Sequence, residues 1–126
     1  DIYSHVLIVG TDEETLNILR NHLREIDDFR LQDTTSIFEA GLRAESFDPD
    51  CIIVDMAIGY ADAKRIVENL RISHHRAATV LIRLTDKISA RNAVRLDFSD
   101  TFKKPFEGFL LAECIKRLIE KKKAAE

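Results

Sequence analysis

Tryptophan is missing from this sequence altogether, and tyrosine and phenylalanine bring the aromatic share to only 7% of 126 residues. Little is left to stack on a flavin ring or on unpaired nucleobases. Cysteine occurs twice, at Cys51 and Cys114. That is neither a disulfide framework nor a paired metal knuckle, and two isolated thiols fit a reducing cytosol. Two prolines and four glycines leave no room for a linker-like or low-complexity tract. No apolar run approaches the roughly 20 residues that cross a bilayer, and no basic-then-apolar leader opens the sequence. Neither a membrane span nor secretion is expected.

What is present is 45% hydrophobic and 33% charged, a globular balance in a length that suits one domain over 1–126. Residues 120–126, with Lys121-Lys122-Lys123, read as a solvated helix end or a linker. The net charge of -3 is unevenly placed: residues 1–62 hold 14 acids and 4 bases, residues 63–126 hold 8 acids and 15 bases. Such asymmetry marks either a partner surface or only the solvent faces of helices.

Four short runs rich in β-branched residues read as strands covered on both faces: Val6-Leu7-Ile8-Val9, Cys51-Ile52-Ile53-Val54, Thr79-Val80-Leu81-Ile82 and Asp100-Thr101-Phe102. Phe29-Arg30-Leu31-Gln32 is more polar and reads as an edge strand. Between them the period becomes helical. Leu16, Leu19, Leu23 and Ile26 share one stripe, Ile66, Val67 and Leu70 another, and Leu110, Leu111, Cys114, Ile115 and Leu118 a third. Ile37, Ala40 and Ala44 make a thinner stripe beside Gly41, and 88–96 has the length of a short helix with little apolar face. Alternating strand and helix predict a doubly wound, mostly parallel five-stranded α/β sheet with helices on both faces. Function in such sheets collects outside the carboxyl ends of the strands.

Those ends are polar here. The first strand runs into Gly10-Thr11-Asp12-Glu13-Glu14, the third into Asp55, the fourth into Thr85-Asp86 and the last into Lys103-Lys104-Pro105. A carboxylate closing an Ile-Ile-Val run is costly unless solvated, paired or metal-bound. Paired carboxylates can hold Mg²⁺, and a nearby lysine and hydroxyl can receive phosphoryl oxygens. An aspartate can be the nucleophile that forms an acyl phosphate. The plainer reading of the same residues is a strand-end acid, Asp55, in an ion pair with Lys104 and nothing more.

In order along the chain, these residues resemble the receiver domain of bacterial two-component response regulators, over nearly the whole length. Pro49-Asp50-Cys51-Ile52-Ile53-Val54-Asp55-Met56 looks like that family's third strand with its phospho-acceptor at Asp55. Thr85, at the end of Val-Leu-Ile-Arg-Leu-Thr, falls where the family places its phosphate-sensing hydroxyl, and Lys104-Pro105-Phe106 matches its Lys-Pro motif. The resemblance implies a flavodoxin-like strand order 2-1-3-4-5 and a cis bond before Pro105. It also implies phosphoryl transfer to Asp55 from a histidine kinase or phosphotransfer protein, with Mg²⁺ held by Asp12, Asp55 and the backbone carbonyl of Ala57. Such a protein is a cytoplasmic phosphorelay switch and not a turnover enzyme, with output through the last strand and its flanking helices.

The sequence departs from the family pattern at several places. The family carries two adjacent acids after the first strand. Here, if Gly10 ends that strand, Thr11-Asp12 is the pair and one acid survives; if Val9 ends it, both are lost. Gly59 stands where a proline is usual, Asp86 where a small residue is usual, and Thr101 at the position of the switch aromatic. The segment from Thr85 to Lys104 is about one helical turn shorter than the family's. Two readings follow: a receiver that still takes phosphate, or a phosphate-independent binding or dimerisation module on the same fold.

Other chemistries fit less well. Adjacent His74-His75 cannot share a metal at the i, i+4 spacing of zinc sites, and His5 and His22 stand alone as surface or edge groups. Three acids after Gly10-Thr11 would repel a flavin phosphate. The bases of the second half, from Lys64 to the tail, come without a helix-turn-helix or stacking aromatics, which argues against direct nucleic-acid binding. The face over 91–117 is instead expected to meet a second copy, a fused output domain or another protein.

Overall fold

The computed structural model describes residues 3–26, 28–72, 80–85 and 98–125. The parts of the sequence reading that fall on Thr79, Asp86, His74-His75 and the helix over 88–96 lie outside them. Five strands, β1 (Ser4–Val9), β2 (Phe29–Thr34), β3 (Cys51–Asp55), β4 (Val80–Thr85) and β5 (Asp100–Lys103), form one parallel sheet in the order β2-β1-β3-β4-β5. The described helices are α1 (Glu13–Leu23), α2 (Ile37–Ser46), α3 (Tyr60–Ile72) and α4 (Gly108–Ala125), with a 3₁₀ turn at Met56–Ile58. This is the flavodoxin-like arrangement, and its order reverses between β1 and β3, beside the end of β3.

Strand alternation sorts the apolar residues into two layers. Val6, Ile8, Cys51, Ile53, Val80, Ile82 and Leu84 face one way, under Leu16, Leu19 and Leu23 of α1 and Leu111, Cys114, Ile115 and Ile119 of α4. Leu7, Val9, Ile52, Val54 and Leu81 face the other way, under Ala40 of α2 and Ala63, Ile66 and Val67 of α3. The α4 stripe corrects the sequence reading at one place. Leu110 is 58% exposed, because the buried arc of the helix centres near Leu111 and Ile115, and Leu110, about 100° outside Leu111, falls beyond it. α1 and α4 also approach closely, and a β-carbon at Gly108 would collide with the His22 ring.

The α2 layer is thinner. Its helix offers the sheet Ile37, Ala40, Gly41 and Ala44, and a cavity of about 60 Å³ remains between α2, α3 and the strands, lined by Leu7, Val9, Ile52 and Ile66 among others. A β-carbon at Gly41 would meet no atom within 4 Å. We therefore expect Gly41→Ala to stabilise the protein by about 0.5–1 kcal/mol, since glycine in a helix interior costs about that much relative to alanine; urea unfolding reads it directly.

Arg20 ties α1 to the edge strand. Its Nε lies 2.9 Å from Asp33 Oδ2 and its Nη2 3.1 Å from Glu13 Oε2, which gives the polar edge strand β2 a charged anchor. His5 is half-buried, stacked on Phe47 at 4.7 Å between ring centroids, while His22 is exposed with an edge contact to Phe106. Cys51 and Cys114 are buried free thiols, and burial is the main cause that pushes the Cys114 thiol up to about 11.

Candidate functional site

β3 delivers Asp55 to the carboxyl edge of the sheet with 1% of its surface exposed. Its Oδ1 accepts two hydrogen bonds: one from Lys104 Nζ at 2.6 Å and one from the Ala57 N–H at 3.0 Å. The second bond exists because the chain turns into the 3₁₀ helix at once, with Asp55 as its cap. That turn ends at Gly59 with φ +101°, a conformation closed to proline, whose ring fixes φ near −65°. The glycine found where the resemblance leads one to expect proline thus has a backbone reason.

Lys104 reaches Asp55 from the end of β5. Its own N–H donates to Thr85 O at 2.8 Å, which carries the β4–β5 pairing one residue further, and the following bond to Pro105 is cis. Thr85 ends β4 one residue past Leu84, the register partner of Asp55, and is half-buried. Asp55, Thr85 and Lys104 therefore gather at the ends of three adjacent strands. Beside them a cleft of about 320 Å³ is lined by Thr15, Ile18, Lys104, Pro105 and Phe106.

Asp55 Oδ2 is buried and has no hydrogen-bond partner among the described residues. An oxygen placed like this can take an ordered water, a cation or an incoming electrophile. As a Mg²⁺ ligand it fits, but the rest of the expected set is not assembled with it. β1 ends at Val9, opposite Val54, and Gly10 comes next, its N–H donating to Thr34 O at 3.1 Å. Gly10, not an acid, therefore faces Asp55. Asp12 is exposed and caps α1, its Oδ1 accepting from the Thr15 N–H at 2.8 Å and its Oδ2 from the Thr11 and Thr15 hydroxyls at 3.3 Å each. Ala57 meets Asp55 through its N–H. Among the described residues no three His, Cys, Asp or Glu side chains group as a metal site would require. With Asp12 engaged in the cap, Asp55 supplies the one carboxylate in place for Mg²⁺ among the described residues, which is short of the acid pair the resemblance implies.

The cap holds the Asp12 carboxyl below the usual aspartate range. The Thr15 N–H is the largest cause, and Lys104 adds a smaller attraction. A depressed carboxyl contributes stability that is complete above its unfolded pKa and lost as pH falls through the folded one. We expect Asp12→Ala to be less stable than the native chain near neutral pH, and the gap to close as the solution is acidified to about pH 2; melting temperatures of the two proteins across that range decide it.

One charged residue went unread. Arg83, in the middle of β4, is only 2% exposed. Its Nε donates to Thr101 Oγ1 at 3.2 Å, its guanidinium carbon lies 5.9 Å from the Phe98 ring centre, and Nη2 is buried without a partner among the described residues. The signal was in the sequence: an arginine inside a run apolar on both faces has no solvent side to point to.

No protein-family model matches the chain, and no curated protein matches it. Solved structures do. The receiver domain of a sensor histidine kinase from Pseudomonas aeruginosa, which carries magnesium in its active-site cleft, superposes with a TM-score of 0.82 at 20% identity, covering 94% of this chain and 98% of that one. The signal receiver domain of a DNA-binding response regulator from Colwellia psychrerythraea gives 0.78 at 23%, covering 93% and 98%. A response regulator from Thermotoga maritima gives 0.78 at 22%, covering 94% and 98%. The chain has the fold of response-regulator receiver domains.

Proposed function

We propose that this chain is a receiver-type signalling switch whose phospho-acceptor is Asp55. The observation that carries the reading is the asymmetry of that carboxylate: Oδ1 is fixed by Lys104 and the Ala57 N–H, while Oδ2 has no partner among the described residues. Oδ2 would attack the phosphorus of a phosphohistidine on a histidine kinase or phosphotransfer protein. The P–O bond forms as the P–N bond breaks, and the imidazole keeps the electron pair and takes up a proton. Lys104 and the Thr85 hydroxyl then receive the phosphoryl oxygens. Because Oδ2 is shielded from solvent, the groups over it must give way to admit the phosphorus.

In this reading the 126 residues act as one cytoplasmic domain that changes state and does not turn over substrate. The reading agrees with helices none of which, among the described residues, is long and apolar enough to cross a membrane. Output would pass through the face over 91–117 to a second copy or a fused domain. Its described part, from 98 on, shows Phe109 69% exposed, with Lys103 and Arg117 also exposed. A second reading, a phosphate-independent binding module on the same fold, is favoured by Gly10 in the place of an acid. Intact-protein mass after incubation with a small phosphoryl donor separates the two. We expect one phosphoryl adduct on the native chain and none on Asp55→Asn; an adduct-free native protein that is folded would select the binding module.

A further inference from the structure

We infer that the Asp55 site takes its phosphoryl group without a divalent cation, with Lys104 as the cation it relies on and Gly10 as the residue that makes this possible. The inference rests on the phospho-acceptor reading above and concerns the charge balance of the same site.

Just past the end of β1 the Gly10 N–H donates to Thr34 O, which sets Gly10 next to Asp55 beyond the Val9–Val54 pair. A β-carbon there would lie 3.9 Å from Asp55 Cβ and 3.2 Å from Leu16 Cδ2. Any side chain at position 10 would therefore enter the wall beside the acceptor, and an acid there would set a second negative charge within a few ångströms of the first. Two carboxylates against one lysine would give the site a net negative charge, and an incoming phosphoryl dianion would be repelled unless a metal offset it. With glycine that second charge is gone. Asp55 and Lys104, 2.6 Å apart, form a neutral pair.

The neutral pair has two consequences. A divalent cation gains little by approaching it, since the ammonium already occupies the favourable place against Oδ1 and repels a second cation. The phosphoryl group, for its part, meets no second carboxylate packed against Asp55 from position 10. Asp12, the acid the resemblance assigns to the metal, is held by three hydrogen bonds at the helix start and would have to leave the cap of α1 to reach a metal. The loss of the acid and the loss of the metal requirement are thus one change in the electrostatics of the site.

The test uses the native chain with acetyl phosphate, in EDTA and in magnesium, together with Mn²⁺ binding followed by electron paramagnetic resonance in the absence of any donor. Atoms balance simply: Asp55 Oδ2 bonds to phosphorus, the bond to the acetate oxygen breaks, and acetate leaves with the electron pair. The expected result is the same extent of adduct in both solutions and no saturable Mn²⁺ binding to the native chain, with saturable Mn²⁺ binding appearing in Gly10→Asp. Crowding against Leu16 could unfold that variant, so Gly10→Asp combined with Leu16→Val serves as its relief. Adduct formed only with magnesium, or saturable Mn²⁺ binding to the native chain that Asp55→Asn removes, would overturn the inference and leave Asp55 as acceptor. No adduct under either condition would overturn the acceptor reading and the inference with it.

Discussion

Lys104→Met should lose about 3 kcal/mol of folding stability, because removing one partner of a buried ion pair strands the other charge. Asp55 is almost fully buried and Lys104 is the only cation on it among the described residues, at 2.6 Å, while Oδ2 already lacks a partner. The Ala57 N–H would then be the one group left against a buried carboxylate. The second half of the expectation is sharper. Asp55→Asn combined with Lys104→Met should recover most of the loss, since the amide keeps an oxygen for Ala57 and carries no charge. A double-mutant cycle by urea unfolding measures the coupling. If the double variant is as unstable as Lys104→Met alone, the lysine acts through packing and the charge argument fails.

The other large effect is expected on the opposite side of the logic, in the packed core. Leu111 is fully buried between α4 and the sheet, in the same cluster as Leu16, Leu19 and Ile115. Leu111→Ala should cost about 3–4 kcal/mol, the transfer cost of the lost atoms plus a cavity that rigid strands cannot close. Ile66, on the other face, already borders an existing void and still keeps 8% of its surface exposed. Ile66→Ala should cost less, nearer 2 kcal/mol, because part of its contact is missing from the start. Equal losses at the two positions would show that the layers are packed alike.

The sheet was readable because strands covered on both faces leave continuous apolar runs, as at Cys51-Ile52-Ile53-Val54, and the helices because their stripes repeat every three to four residues. Asp55 and Lys104 were readable because charges at the end of such runs demand partners, and the structure pairs them. Asp12 shows where pattern stops. The same aspartate serves a metal or a helix N-terminus, and its spacing to Thr15 suits a cap; only the position of the last β1 residue decides, and a one-residue choice between Val9 and Gly10 changes which side chain faces Asp55. Arg83 shows a different gap. The run marks a strand, but the group that satisfies its one cation, Thr101, lies on the neighbouring strand, and spacing along the chain does not carry that contact.

The unevenness of the two layers also has a mechanical side. Compression favours whichever state eliminates empty volume, and the cavity under α2 is one place among the described residues where this fold holds some. Under hydrostatic pressure the methyl resonances of Ile37, Ala40, Ala44 and Ile66 should shift and broaden first, while those of Leu16, Leu111 and Ile115 hold their positions. The α1–α4 side would then act as the stiff half of the molecule, and Asp55, carried on the strand between the two halves, would sit at the seam where softness begins.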